Sequence, residues 1–426
     1  MSNEHVKKYS SATVSSQDGE TECPFSKKYK RYRVPVSSTK ENPSYKVKGG
    51  ILDGIKIAMD KSSIEKKYAN ELNAGNFLWI EPDIDVSQDE ERIAKGKLGL
   101  FASSIVWKTL AENIENLNLG ESKRIVLALP KMSTSGLKQL ADIINWYARQ
   151  GDDSIFPKCS EGIVVDVDDE SSVPVVVFDL QRNSLETLSN SNLSDEEVIG
   201  ATQSWVKRVL VEMSICPFTK SVTKSGQGLG DLDVPVANIA YHHSKATKME
   251  IPRLMADTWG SIYEMIKAGD HGKNGISSIL LSAPGFDDEF HLFAGPIFAM
   301  LESNVSAAFA EPLIGVVCFH PKYKTPDGGS FPGFGQMHSL PRLRKWLNAA
   351  NEELSSKMDD ENVAAGGAYQ RRTPYATINV LRAEQLEKAE SKRVTADLYA
   401  RNIDVLNNYG YDNLEKALEA DRNLTS

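Results

Sequence analysis

The pattern of apolar and polar residues predicts alternating helices and strands in the first part of the chain. Residues 95–117 repeat apolar positions at helical spacing, and Gly120 follows as a stop signal. Residues 123–130 are a short β-branched apolar run closed by proline, which is typical of a buried strand. A second amphipathic helix over 134–151 and a second buried strand over 173–179 follow. This order predicts an α+β fold.

The later part of the chain repeats this order of predicted elements. The pattern predicts a strand over 233–241, a helix over 252–269, a strand over 277–284, a helix over 290–304 and a strand over 314–321. Trp259 lies in the first of these helices, as Trp107 lies in the helix over 95–117. The strand over 277–284 ends in proline, as does its counterpart over 123–130.

A Cys-Pro-Phe motif begins each of the two series. The two copies are Cys23, Pro24, Phe25 and Cys216, Pro217, Phe218. Several matches in one order indicate an internal duplication. In this alignment the strand over 173–179 pairs with that over 314–321, so Asp179 takes the place of His320. We therefore expect two related tandem repeats, each a sheet with flanking helices. A pseudo-twofold arrangement is expected because duplicated units keep the contact of an ancestral homodimer.

The predicted repeats define the domain organisation. We expect a disordered tail over 1–20, a first repeat over 21–188 with an insertion at about 45–95, a linker over 189–194, a second repeat over 195–385 and a C-terminal helical extension over 386–426. Ser194 and Glu197 have the spacing of a capping box, which predicts the start of a helix at this point.

Composition excludes several classes of protein. The 426 residues carry 49 basic and 58 acidic side chains, a net charge of −9, which disfavours nucleic-acid binding through a basic surface. The four cysteines contain no C-x-x-C pair, so we expect neither a disulfide scaffold nor a structural zinc site. No apolar run is long enough to predict a membrane span. The polar N-terminus does not resemble a secretory signal, and the chain as written is expected to be cytoplasmic.

Candidate chemistry gathers at two motifs of the second repeat. Phe319, His320 and Pro321 begin the segment FHPKY at the end of a predicted strand, where ligand-binding groups often lie. His320 fits either a proton-transfer role or a histidine fixed by hydrogen bonds within its loop. Arg371 and Arg372 begin the segment RRTPY, which contains Pro374 and Tyr375. Paired arginines suit a carboxylate or phosphate, but they also suit internal ion pairs.

The remaining candidates are weaker. Cys216 fits either a reactive thiol or a small buried residue that the following proline turns out of a helix. His242 and His243 are adjacent on a strand and therefore point to opposite faces, so we predict no metal site there. The glycine-rich segments 226–231 and 328–335 lack a complete phosphate-binding fingerprint and predict flexible loops. No cofactor is expected.

The motifs of the second repeat resemble those of a mostly bacterial family of uncharacterised single-domain proteins. The shared features are a tryptophan helix that runs into CPF, the FHPKY segment, RRTPYATINVLR and ARNIDVLNNYG, over about residues 197–410. The resemblance implies no mechanism, because the reaction of that family is not established. One departure is Ala383 after Leu381 and Arg382, where the family has glutamate.

The tandem form is also similar to the pyrenoid shell proteins of diatoms, which have two similar halves. This resemblance implies self-association into a sheet around the Rubisco matrix of the plastid, with the targeting peptide removed. It makes a structural protein without enzymatic activity our first hypothesis. The alternative is an enzyme or small-anion-binding protein with one site in the second repeat. That site would join Cys216, His320 and Tyr323 to the arginines at 371 and 372.

Overall fold

A computed structural model describes residues 60–150, 161–168, 170, 173–182, 193–216, 219–227, 234–328, 338–389 and 392–423. Within these ranges the chain is an α+β protein with two mixed sheets and flanking helices. The motif residues Cys23, Pro24, Phe25, Pro217 and Phe218 lie outside the described residues, as does the predicted tail over 1–20.

The first sheet lies within residues 77–182. Its strands are β1 (Phe77–Trp79), β2 (Ser122–Ala128), β3 (Glu161–Asp168) and β4 (Val175–Arg182), in the order β1-β2-β4-β3. The helices of this half are α1 (60–67), α2 (Ala69–Asn73), α3 (Glu91–Glu115) and α4 (Thr134–Ala148). Strands β1 and β2 are parallel because α3 crosses between them, whereas β4 is antiparallel to both of its neighbours.

The second sheet contains five strands in the order β5-β6-β7-β9-β8. They are β5 (Lys224–Ser225), β6 (Ala237–His243), β7 (Ile276–Ser282), β8 (Ile314–Phe319) and β9 (Thr377–Arg382). Helix α5 (Asp195–Trp205) precedes the sheet and continues into a π-helix over Val206–Glu212. Helix α6 (Ile251–Ala268) joins β6 to β7.

A compound helix joins β7 to β8, and six further helices follow along the chain. The compound helix comprises α7 (Phe290–Leu292), a π-helical stretch (Phe293–Ile297) and α8 (Phe298–Ala307). The later helices are α9 (Leu340–Ala350), α10 (Glu352–Lys357), α11 (Asp360–Tyr369), α12 (Ala383–Ala389), α13 (Lys392–Tyr409) and α14 (Tyr411–Arg422).

The two sheets have the same strand order and directions once β5 is set aside. Strands β1, β2, β3 and β4 correspond in position and direction to β6, β7, β8 and β9. This agreement supports the predicted duplication, although a common origin of the halves stays a prediction. The strand that corresponds to β6 is β1, which lies inside the segment 45–95 that the sequence analysis treats as an insertion.

The predicted alignment of the last strand in each half is wrong. Strand β4 contains Asp179 and lies inside the first sheet between β2 and β3, whereas β8 is an edge strand that leads to His320. Asp179 forms an ion pair with Arg124 on β2 and does not occupy the place of His320. The alignment failed because β3 mixes valine with aspartate, and this pattern conceals an edge strand.

One apolar core runs through both halves of the chain. It contains, among others, Trp107, Leu127 and Phe178 from the first half and Trp259, Phe298 and Ile378 from the second. Helix α3 packs against α6, and Phe101 meets Tyr263 edge to face at a centroid distance of 5.4 Å. We call the face of each sheet that lines this core its inner face.

Polar contacts also cross between the halves inside this core. The indole nitrogen of Trp107 donates to Oδ1 of Asn304 at 2.7 Å, and Nδ2 of Asn304 donates to Oγ of Ser103 at 2.9 Å. All three residues are buried. Since each buried polar group here has a partner, the contact fixes α8 against α3.

The outer faces of the two sheets differ in their cover. The outer face of the second sheet is buried beneath α5, the π-helix, α13 and α14. On the first sheet, Ile64 and Tyr68 cover Phe77, Val126 and Val177, whereas Val164 on β3 remains 55% exposed. Among the described helices, none is both long enough and apolar enough to cross a membrane.

Candidate functional site

The predicted site residues lie around one edge of the second sheet. Strands β6, β7 and β8 run in the same direction, so their carboxyl ends meet at this edge. The FHPKY segment begins at the last residue of β8, and RRTPY leads into the first residue of β9 at the same edge. Ligand sites commonly form at the carboxyl ends of parallel strands, so the side chains at this edge are the candidates for a site.

His320 is a buried histidine whose two ring nitrogens both have backbone partners. Nε2 donates to the carbonyl oxygen of Phe286 at 3.0 Å, and Nδ1 accepts from the amide of Lys322 at 3.0 Å. The ring also packs against Phe290 and Phe293. Burial lowers the pKa of His320 to about 4, so the imidazole is neutral at neutral pH. Its geometry is that of a histidine fixed within its loop, one of the two roles that the sequence left open.

Arg371 is a half-buried residue whose guanidinium lies among aromatic rings beside this loop. Its guanidinium lies 5.9 Å from the ring centre of Phe319 and 6.0 Å from that of Tyr323. Burial opposes its charge, but interaction with the ionisable groups of Tyr323 and Tyr399 outweighs burial and raises the pKa of Arg371. The backbone carbonyl of Arg371 accepts from the amide of His320 at 3.0 Å, which joins the two motifs through their main chains.

Arg372 contacts a different set of residues. Its Nη1 donates to Glu415 on α14 at 3.1 Å, and its guanidinium lies 4.4 Å from the ring centre of Tyr369. Its Nε donates to the carbonyl of Tyr323 at 3.3 Å. Arg372 therefore ties the RRTPY segment to both the C-terminal helix and the FHPKY segment.

The remaining predicted residues belong to two apolar clusters. Cys216 packs against the outer-face cluster that contains Trp205 and Phe319. Tyr323 belongs to the inner core, and the ring of His320 packs against Phe290 and Phe293 of that core. A single site that joins Cys216 to His320 and Tyr323 stays a prediction.

His242 and His243 point to opposite faces of β6, as predicted. Nδ1 of His242 lies 2.5 Å from Oγ of Ser261 on α6, whereas Nδ1 of His243 lies 3.0 Å from Oδ1 of Asp195 on α5. Across the described part of the chain, no group of three or more His, Cys, Asp and Glu side chains is arranged to hold a metal ion.

Asp287, which follows β7 at the same edge, is a buried carboxyl group that no sequence motif predicts. Its Oδ1 accepts from the amide of Ala376 at 2.7 Å, and its Oδ2 lies 3.3 Å from Nη2 of Arg422 on α14. Burial raises the pKa of Asp287 to about 7 despite these contacts. No local signal distinguishes Asp287 from Asp288, whose pKa is lowered by the Lys322 ammonium. The difference arises only from the fold.

Comparison with known families gives one match. A family described as "Protein of unknown function (DUF1415)" matches residues 197–330, from α5 past the FHPKY segment. The match lies within the second half and ends before RRTPY, and its description assigns no activity. No curated protein matches the chain, and no solved structure matches it.

Proposed function

We propose that the chain is a structural protein that associates with further copies of itself into a sheet or shell. The observation that carries the proposal is the single core shared by both halves. The two sheets have the same strand order and share this core. The outer faces of the two sheets, which the core does not use, differ from each other. Contacts between non-equivalent surfaces build rings where the rotation between copies closes and open arrays where it does not, and the proposal is that they stay open here.

The use of the motif residues supports the same proposal. His320, Arg371 and Arg372 bind the FHPKY segment, the RRTPY segment and α14 to one another. These contacts give the motif residues a structural role, since they hold separate segments of the fold together. The alternative of an enzyme or anion-binding site at these residues has less support, because both ring nitrogens of His320 are bonded to backbone groups and Arg372 is paired with Glu415.

Exposed apolar side chains of the first half suggest where copies meet. Trp146 on α4 is 45% exposed and Val164 on β3 is 55% exposed. The two elements are in contact, since the side-chain amide of Asn145 bonds to the backbone of Val165. Exposed apolar side chains of this size are unusual on a surface that faces only water, and a second copy is the proposed occupant of the surface to which each belongs.

The resemblance to pyrenoid shell proteins gives this proposal its biological setting. The assembly would surround a Rubisco matrix in the plastid stroma, with matrix components as further partners. Both the location and the partners belong to the proposal alone.

Light scattering and negative-stain microscopy over a range of protein and salt concentrations test the proposal. Extended sheets, tubes or large regular particles are expected. Trp146→Glu and Val164→Glu should each weaken assembly because they place a charge in an apolar contact, whereas Asn116→Glu at an exposed position should not. A monodisperse monomer at every concentration and salt would contradict the proposal.

A further inference from the structure

A cavity of about 320 Å³ lies where the segment after α8 meets α3 and α4. Most of its lining is apolar or small, including Ala94, Leu98, Met132, Leu137 and Leu140. It lies apart from the FHPKY and RRTPY segments, and the assembly proposed above does not use it. A dry apolar cavity of about 150 Å³ holds benzene, so this volume suits a body about the size of two fused rings.

Glycines on α3 and α4 bring one wall of the cavity close to the helices. A Cβ atom added to Gly99 would lie 2.0 Å from the carbonyl oxygen of Ala308, and one added to Gly136 would lie 2.6 Å from that of Ala307. The close approach seats Phe309 beside α3, where Nζ of Lys95 lies 3.6 Å from its ring centre. The wall is therefore built by specific residues of both halves.

Two residues in the left-handed backbone region line this same cavity. Lys131 has φ 70° and Phe309 has φ 54°, and neither is glycine. Such conformations cost free energy in a residue with a Cβ atom, and they concentrate where a site needs them. Of the three non-glycine residues with positive φ in the described ranges, two lie here.

The charged groups of the lining are Lys95, Lys131 and Glu91. Within the described ranges neither lysine forms an ion pair, and both are exposed at the rim. The rim thus carries two positive charges and one negative charge beside an apolar interior. This combination favours a ligand with an apolar body and a single negative charge.

We propose that this cavity binds a small amphiphilic carboxylate. The apolar body would occupy the space between Leu98, Leu137 and Phe309, and the carboxylate would lie at the rim near Lys95 and Lys131. The site is independent of the proposed assembly, so the failure of one proposal leaves the other intact.

Calorimetric titration with three probes of one shape tests the charge preference. The probes are 2-naphthoate, neutral 2-naphthamide and cationic 2-naphthylmethylammonium. We expect saturable binding, with the highest affinity for the anion, a lower affinity for the amide and the lowest for the cation. Lys95→Gln should weaken the binding of 2-naphthoate by about two- to five-fold, as expected for an exposed ion pair, whereas Lys108→Gln on the same helix should not.

A filling variant tests the location. Ala94→Phe should abolish the binding of 2-naphthoate, whereas Ala417→Phe, at a half-buried alanine of α14 remote from the cavity, should leave it unchanged. Circular dichroism and thermal unfolding confirm that each variant is folded before titration. The proposal is overturned if 2-naphthoate shows no saturable binding at millimolar concentration, if the three probes bind equally well, or if Ala94→Phe binds like the parent protein.

Discussion

Arg182 and Arg382 occupy corresponding places in the two halves. Arg182 ends β4 and donates to the carbonyls of Glu115 and Leu117 at the carboxyl end of α3. Arg382 ends β9 and donates to the carbonyls of Met265 and Gly269 at the carboxyl end of α6. In both halves a guanidinium therefore links the last residue of a central strand to carbonyls at a helix end, where a cation is favoured.

This relationship predicts that Arg382 stabilises the fold through its fixed geometry. Its Nε also donates to Ile276, so its bonds diverge in directions that a lysine ammonium cannot reproduce. Arg382→Lys should lower the free energy of unfolding by about 1–3 kcal/mol, measured by urea denaturation. Arg149→Lys, at an exposed helix end, should change it by less than about 0.5 kcal/mol. Equal effects of the two substitutions would contradict this interpretation.

The two core tryptophans should respond differently to replacement by phenylalanine. Trp107 donates to Asn304, whereas within the described residues the buried indole nitrogen of Trp259 has no hydrogen-bond partner. Trp107→Phe leaves Asn304 without its donor, and Trp259→Phe removes an unsatisfied group. The loss of stability should therefore be larger at Trp107 by about 1–3 kcal/mol, measured by urea denaturation. A larger loss at Trp259 would show that the Trp107–Asn304 bond contributes little.

Asp287 should make stability fall as the pH rises. Its pKa of about 7 in the folded protein lies above the ordinary value of 3.8, so between these values the folded state holds a proton that the unfolded chain releases. The stabilisation of the folded state by this bound proton is therefore lost as the pH rises from about 3.8 to about 7. Asp287→Asn should remove a fall of up to about 3 kcal/mol between pH 4.5 and 7.5, measured by urea unfolding at both pH values.

Asp288→Asn is the matched control for this experiment. The Lys322 ammonium lowers the pKa of Asp288, so its contribution is lost only as the pH falls below its ordinary value. This substitution should change the difference between pH 4.5 and 7.5 much less than Asp287→Asn does, because the Asp288 charge supplies only a minor part of the raised pKa of Asp287, which is mainly due to burial. If Asp287→Asn and the parent protein show the same pH dependence, Asp287 is ionised in the folded state throughout this range.

His320 should affect stability because it joins three backbone segments. His320→Ala removes the bonds to Phe286 and Lys322 and the packing against Phe290. The free energy of unfolding should fall by about 2–4 kcal/mol. His271→Ala, at an exposed position, should change it by less than about 0.5 kcal/mol. An unchanged denaturation midpoint in His320→Ala would remove the argument that this histidine is structural.

Asn145 should protect the edge of the first sheet from pairing with other chains. Its side chain donates to the carbonyl of Val165 at 2.5 Å and accepts from the amide of Val165 at 2.8 Å, which occupies an outward pair of backbone groups on β3. Asn145→Ala should therefore increase irregular aggregation, measured by thioflavin fluorescence and turbidity. Asn116→Ala should not, and an equal response of both variants would contradict an edge-protecting role.

Local pattern was sufficient for the elements with regular periodicity. The capping box of Ser194 and Glu197 is formed at the start of α5, and the apolar runs around Val126, Leu280 and Val316 are buried strands. The amphipathic helix with Trp259 is also confirmed. In each case the periodicity reflects burial of one face or of a whole strand, so a single sequence contains the signal.

The candidate site was less predictable because it depends on which face of the sheet each residue reaches. Cys216 packs against the apolar cluster of the outer face, whereas the ring of His320 packs against Phe290 of the inner core. The raised pKa of Asp287 requires the burial that α14 and the segment before β9 provide together. Such environments bring together residues that are far apart in sequence, such as Asp287 and Arg422. The spacing of residues along the chain therefore cannot predict these environments.

The contact between α3 and α6 has a genetic consequence that a contact between two identical chains would lack. In a homodimer, one substitution alters both sides of the interface at once, so each change must be tolerated twice. Here the two sides are encoded separately, and within the described residues Trp107 has a hydrogen-bond partner whereas the indole nitrogen of Trp259 has none. Each half is free to acquire its own substitutions, while their one-to-one ratio is guaranteed by synthesis on a single chain.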